Sequence, residues 1–380
     1  MRIFCFAEGD TEEQLSTCAR PGAVAPAPHV PVHGWVRQSS VQPSSPTADL
    51  TSAMSSPRNL YPNTTVFATC RCVHQSFRLV PKPVVRRIVD FCFGVVSTRY
   101  REETGMEFYE FEFVSTHYHL VANNGTGCIT DFLQSLNALI ARELNALRGT
   151  SGAFFDRDPG IQTVVGGGRV FRHCVYTLAN AVAAGIVHKT AHWKGSNSLR
   201  MEYGKEYVVA KPRAGLWSKK VQHKHRKSSQ DSGRAAFADR SKLPDTTVLK
   251  LDRPPIMLEL SDIELRAKIR EALTEKEAEH VQKRCGKPVL GMKAALKIHW
   301  RTVPNDGEEL FGRHPNFSTE TVAQRIAMKR IRETFPRQHA DALARWNAGE
   351  RDVVFPAGTV RMRLRHNVAT EPIPDFLRAS

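Results

Sequence analysis

Paired cysteines are missing from this chain. Its eight cysteines fall at positions 5, 18, 70, 72, 92, 128, 174 and 285, and none stands at CxxC spacing. A zinc ribbon or finger therefore lacks the paired ligands it is built from. Cys92, Cys128 and Cys174 sit in apolar stretches and read as buried free thiols, and a disulfide framework is not expected. Nucleotide loops of the GxxxxGK[ST] or GxGxxG type are missing too, and so is a GxSxG elbow. Gly166-Gly167-Gly168 fits none of these and reads as a plain turn between a strand and a helix. No apolar stretch reaches the ~18 residues of a membrane span. Ile3-Phe4-Cys5-Phe6-Ala7 is too short for a secretory signal core and runs straight into acids. The expected location is cytoplasmic.

Acid is scarce as well. The 380 residues carry 54 Lys+Arg against 38 Asp+Glu, a net charge of +16. That surplus points to a polyanionic partner, nucleic acid first. An anionic membrane comes second, but no basic amphipathic helix of the kind that lies on one is present. No membrane partner is expected.

Residues 1–60 are rich in Pro, Ser, Ala and Thr and show no sustained periodicity, so a disordered tail is expected there. Thr64 to Cys72 reads as a strand. Pro83 to Tyr100 reads as a helix with Val84, Val85, Ile88, Phe91 and Val95 inward. A strand from Glu107 to Val114 follows, then a tight turn at Ser115-Thr116 and a strand from His117 to Ala122. Thr130 or Asp131 is the expected cap of a helix that ends at Gly149. Ile161 to Val165 is a short strand before a helix from about Arg169 to Ala184. The order βαββαβα over 61–188 implies an α+β fold, a mostly antiparallel sheet backed by helices. Residues 201–245 read as a basic segment and linker. Lys211 to Lys227 holds seven Lys/Arg and no acid. Residues 246–380 read as a mainly helical C-terminal accessory domain, with helices at Leu260–Leu273, Glu275–Arg284, Glu320–Phe335 and Gln338–Asn347 and a short strand at Val360–Leu364.

The chemistry concentrates in 61–200. His117 and His119, at i and i+2 on a strand, point to one side of it. Tyr176 and Asn180, at i and i+4, share one helix face. If that helix lies over that strand, two imidazoles, an amide oxygen and a phenol meet. Three ligands for a divalent metal beside a nucleophile suit phosphodiester chemistry. The bland readings are a pair of satisfied sheet histidines, a Tyr used for core packing and an Asn bonded locally. A second HxH, His223-Lys224-His225, lies in the basic run and reads as a solvated, phosphate-facing segment.

Three stretches together resemble the REP-associated tyrosine transposases, in the single-tyrosine branch of the HUH endonuclease superfamily. Val114 to Val121 looks like the family's metal-binding strand. Leu139 to Phe155 resembles the helix and turn after it. Val175 to Val187, with His192-Trp193 beyond, looks like the catalytic helix. The resemblance spans roughly 61–200 and implies a ferredoxin-like palm. It makes His117, His119 and Asn180 ligands of Mg²⁺ or Mn²⁺, and Tyr176 the nucleophile. Where the family often has Pro-Asn before the first His, this chain has Ser115-Thr116. Where it often has Asn-Pro-Val, this chain has Ala181. Neither change removes a catalytic atom.

The resemblance implies single-strand DNA transposition through a 5′-phosphotyrosine. The implied partner is single-stranded DNA with hairpin ends, and the implied setting is the nucleoid. Homodimerisation is an expectation as well. Lys211, Arg213, Trp217, Lys219, Lys220, Lys224 and Arg226 are the candidate strand-binding residues. Two alternatives stay open: a catalytically lapsed hairpin-binding protein of the same fold, and a metal-dependent phosphodiesterase without a covalent intermediate. Residues 1–53 are expected to be dispensable, with Met54 a candidate start. A chain beginning there is expected to keep its melting temperature, and a marked drop would show that the tail packs on the body.

Overall fold

The protein is described by a computed structural model over residues 57–213, 242–304 and 316–378. It runs β1 (Thr65–Arg71), α1 (Pro83–Thr104), β2 (Glu107–Phe113), β3 (His117–Asn123), α2 (Ile129–Leu147), β4 (Gly160–Val165) and α3 (Gly167–Ala183). Then follow β5 (Glu206–Ala210), β6 (Thr246–Lys250), α4 (Asp262–Lys283), α5 (Met292–Ala295), β7 (Phe317–Thr319), α6 (Val322–Asn347), α7 (Arg361–His366) and α8 (Asp375–Arg378). The expected βαββαβα order holds. Strands pair as β2-β3-β1-β4 with antiparallel neighbours, the ferredoxin-like order, and β7 adds in parallel on β4. The fold is α+β, with a mainly helical C-terminal region.

Alternation along β2 and β3 divides the sheet into two unlike faces. A bulge between Phe108 and Glu110 shifts the register by one residue. It puts Phe108 on the same side as Phe111 and Phe113. There Phe93 of α1 meets all three rings, and Phe132 of α2 closes the cluster at 4.9 Å from Phe108. Such ring pairs contribute about 0.5–1.5 kcal/mol each beyond area burial. The other face carries Glu110, Glu112, His117 and His119, and α3 covers it. One face is thus a dry aromatic core and the other a buried polar layer.

Several boundaries differ from expectation. α2 starts at Ile129, so Thr130 and Asp131 lie inside its first turn. The cap is remote: the Asn124 side chain accepts the Ile129 N–H at 2.9 Å and donates to Tyr61 O. α1 runs one turn further, to Thr104, and stops where Gly105 turns left-handed at φ 68°. α3 begins two residues early, at Gly167, after Gly166 at φ 96°.

The two helices expected at 260–284 are one, α4. Its buried stripe Leu265, Ile269, Leu273 is followed beyond Thr274 by buried His280, and the Thr274 hydroxyl donates to Arg270 O. Ser261 and Glu264 close a capping box at its start. α6 likewise runs through Pro336. Proline in a helix interior costs ~3 kcal/mol. Met328, Phe335 and Ala342 nonetheless form one buried stripe across it, and burying that stripe keeps the helix whole. Val360–Leu364 is not a strand. Its alternating apolar and basic residues coil into α7, with Leu364 N–H donating to Val360 O at 2.9 Å.

A two-stranded ribbon that was not expected has one strand, β5, inside the expected basic segment and linker and the other, β6, just beyond its end. β5 and β6 pair from Glu206↔Lys250 to Ala210↔Thr246 and pack on α1. Gly94 permits this: a Cβ there would sit 2.6 Å from Thr247 Cγ2.

The polar face is held by an ion pair. Arg266 of α4 is 4% exposed and meets Glu110 of β2, which is 0% exposed. Ser198 and Tyr203 hydroxyls also donate to Glu110, and Arg266 donates to Ser198 O and Leu199 O. Removing one partner from such a pair strands a buried charge, at ~3–5 kcal/mol. Arg266→Ala is therefore expected to lose about that much in urea denaturation. Glu110→Gln with Arg266→Met, which removes both charges and keeps an acceptor for one hydroxyl and an N–H donor toward the other, is expected to lose less. A loss below about 1 kcal/mol in Arg266→Ala would overturn this role for the pair.

Candidate active site

β3 places His117 and His119 two residues apart on the face beneath α3. Both are nearly sealed from water, at 3% and 4% exposure. Their rings lie 4.9 Å apart, crossed at 83°. Asn180, 2% exposed, descends from α3, and its Oδ1 accepts from His117 Nε2 at 3.0 Å. Tyr176, one turn earlier, is half-buried, with its ring 5.4 Å from His119. The structure thus brings together all four residues predicted for metal binding and nucleophilic attack.

Hydroxyls orient both imidazoles from behind. Thr116 Oγ1 lies 2.9 Å from His117 Nδ1, and Thr69 Oγ1 lies 2.9 Å from His119 Nδ1. A hydroxyl can donate or accept, so it tolerates either tautomer. The Thr116 that departs from the family's usual pair supplies one of these contacts. Phe67 stacks on His119 at 5.2 Å and on His173 at 4.6 Å, and meets Tyr176 edge-on at 5.8 Å.

Glu112, His173 and the two threonines were not singled out from sequence. Glu112 is the cross-strand partner of His119 and is 0% exposed. Its Oε2 accepts the Ala181 N–H at 2.9 Å, and Oε1 has no hydrogen-bond partner. It ties α3 to β2 beside Asn180. The available signal was position: Glu110 and Glu112 alternate with Phe111 and Phe113, so the two carboxylates share one side of β2, and the β2–β3 register makes it the histidines' side.

Burial governs the electrostatics. It lowers His117 to about 3, helped by Arg71 and opposed by the Asn180 hydrogen bond. It lowers His119 well below the usual range, with His117, Arg71 and His173 adding repulsion. His173 falls to about 4 through burial, then through Arg169 and Arg172. Glu112 is pushed well up by burial, against the backbone N–H groups of Ala181 and Asn180. Both site imidazoles are neutral at pH 7, the state in which a ring nitrogen can hold a cation.

The donor set fits a divalent metal. His119 Nε2 is buried without a hydrogen-bond partner, on the side away from Thr69. A buried ring nitrogen left without a partner calls for an ion or a hydrogen-bonding group. No cluster of three His, Cys, Asp or Glu side chains able to hold an ion occurs among the described residues. The third donor here is an amide, which such a pattern omits. Two imidazoles favour Mn²⁺ or another transition ion, while Mg²⁺ prefers oxygen.

Of the predicted strand-binding residues, the two that are described, Lys211 and Arg213, lie elsewhere. Lys211 and Arg213 follow β5, whose ribbon packs on α1, across the sheet from the histidines. The Lys211 ammonium donates to Leu243 O at 2.5 Å and reaches Asp245 at 3.5 Å, while Arg213 is exposed. Trp217, Lys219, Lys220, Lys224 and Arg226 fall outside the described residues, as does the tail through residue 56.

No family model matches the chain, and no curated protein matches it. Among solved structures the chain is similar to a REP-associated tyrosine transposase bound to a REP hairpin. That likeness has 12% identity, 43% of this chain, 98% of the other and a TM-score of 0.32. It is also similar to a protein assigned as a transposase from Deinococcus radiodurans R1, at 16% identity, 30% of this chain, 90% of the other and a TM-score of 0.23. Overlaps of this size carry no weight for the chemistry of the chain.

Proposed function

We propose that the chain cleaves and rejoins single-stranded DNA with hairpin ends, using Tyr176 as nucleophile and a divalent metal held by His117, His119 and Asn180. One observation carries the reading. Tyr176 and Asn180 of α3 converge on the two histidines of β3, and His119 Nε2 is left buried without a hydrogen-bond partner. The motif resemblance, carried by the same four residues, agrees with it.

A bound Mg²⁺ or Mn²⁺ would polarise the scissile phosphate and steady its developing charge. Thr69 and Thr116 hold the rings so that each Nε2 faces the site. Glu112 holds α3 at Ala181, which sets the height of Asn180 over β3. Tyr176, half-buried at the rim, is open to a strand from outside. Its hydroxyl attacks phosphorus as it gives up its proton to water. The bond from phosphorus to the 3′ oxygen breaks, and that oxygen leaves as a hydroxyl after taking a proton. The 5′ end stays on Tyr176 as a phosphodiester. A 3′-hydroxyl can reverse the step, so joining needs no ATP, in keeping with a sequence that has no P-loop.

The direct test is incubation of labelled single-stranded hairpin DNA with the protein and Mn²⁺, read on a denaturing gel. A covalent adduct is expected, and Tyr176→Phe is expected to abolish it while binding persists. Adduct at normal levels in Tyr176→Phe would overturn the nucleophile. Cleavage to a free 5′-phosphate without adduct would mark the phosphodiesterase reading. Binding with neither product would mark the lapsed one.

Metal and pH give a second test. His117→Ala with His119→Ala is expected to abolish Mn²⁺ binding by calorimetry, and EDTA to stop cleavage in the unaltered chain. Cleavage that runs equally well in EDTA would rule the metal out. In the metal-free protein, His117 sits at about 3 folded against 6.5 for an ordinary histidine. The unfolded chain therefore binds a proton that the folded chain refuses. Stability is full above the unfolded value and falls as pH drops from 6.5 toward 3, by up to ~1.4 kcal/mol per unit for each such group. His117→Ala is expected to flatten that slope in denaturation series, and an unchanged slope would contradict it.

A further inference from the structure

Away from the site residues, three arginines gather on one indole. Arg148 Cζ lies 4.9 Å from the Trp300 ring, Arg301 Cζ 4.8 Å and Arg78 Cζ 5.9 Å. Arg78 and Arg148 also face Phe154, at 5.5 and 5.6 Å. Among the described residues, none of the three pairs with a carboxylate. Arg78 donates to Ser76 Oγ and Ala153 O, and Arg148 to Arg78 O, so both forks are fixed without being neutralised. Arg148 Nη1 is buried with no hydrogen-bond partner. The crowding has a cost: burial, then repulsion from Arg78, holds the Arg148 guanidinium down to about 10. Stacking on an indole offsets only ~0.5–1 kcal/mol per cation where exposed. It leaves the in-plane N–H groups unspent. Planar forks with spare donors match phosphate oxygens two at a time.

The cluster lies at the His117 end of the sheet. The strap bearing Arg78 is tied to the turn before His117 by Cys72 N–H to Thr116 O at 2.7 Å and Leu79 N–H to Ser115 O at 2.9 Å. The segment bearing Trp300 and Arg301 is tied to that strap by Phe77 N–H to Thr302 O at 3.0 Å. Arg71, the register partner of His117, adds positive charge beside that ring and also faces Asp156.

We propose that Arg78, Arg148 and Arg301, held on Trp300, clamp consecutive phosphates of the DNA strand that enters the site at its His117 end. The proposal rests on the DNA reading above, and it assigns strand binding to a place other than the basic run after Lys211. The alternative is a structural staple between the strap and the 296–302 segment, in which the charges touch no ligand.

The test is fluorescence anisotropy of a labelled single-stranded hairpin in EDTA over a tenfold range of salt, in the Tyr176→Phe background. Arg301 is exposed, so Arg301→Gln is expected to keep the melting temperature. It should flatten the slope of log affinity against log salt by ~0.7, about a fivefold smaller loss across the range. Arg78→Lys with Arg148→Lys keeps the charge and loses the forks, and is expected to weaken binding severalfold with little change of slope. If the parent binds the strand and Arg301→Gln leaves both slope and affinity unchanged, the clamp is overturned while the DNA reading stands. If the parent does not bind single-stranded DNA at all, both fall.

Discussion

Two carboxylates on one strand, Glu110 and Glu112, lie under a helix with no exposure to water, and what covers them is set by the need to satisfy them. An unpaired buried carboxylate is costly enough that it must find a cation, hydrogen-bond donors or a proton. Glu110 is met by Arg266 from α4, over 150 residues away, with the hydroxyls of Ser198 and Tyr203 beside it. Glu112 is met by backbone N–H of α3 at Ala181. α4 and the helix carrying Tyr176 are thereby docked on the same strand by two neighbouring side chains of one face.

That docking makes the site a dry one. His117 and His119 sit on the next strand, level with Glu112, and α3 seals them. Burial keeps both rings neutral far below ordinary imidazole values, so no proton competes for their nitrogens at physiological pH. Each ring is braced at Nδ1 by a threonine. Sealing also excludes water from the rear of the site, which strengthens electrostatic terms at its open side. Tyr176 marks that open side, because it is the least buried of the four.

The opposite face of the sheet needs none of this. Phe93, Phe108, Phe111, Phe113 and Phe132 pack ring on ring there, and non-directional burial suffices. The bulge at Tyr109 joins the two regimes. It lets one strand offer three phenylalanines to one side and two glutamates to the other.

Local pattern sufficed for the core fold. The alternation of β2, the stripe of α2 and the glycines after α1 and before α3 depend on near neighbours, so the βαββαβα order and the α+β class were readable in one dimension. The pairing of His117 with His119 and of Tyr176 with Asn180 was readable for the same reason, as each pair shares one element. The rest required contacts distant in sequence. Asn124 capping α2, Pro336 carried inside α6, the β5–β6 ribbon on Gly94 and the helical turn of α7 all answer to tertiary neighbours. Only the fold could place Glu112 against Ala181, because a lone Glu in a strand does not show which backbone will reach it. Apart from the bulge in β2, the sequence by itself determined which side chains face together along each core element. The tertiary structure decided which elements meet, since burying charge and hydrogen-bonding groups is a problem that distant residues solve jointly.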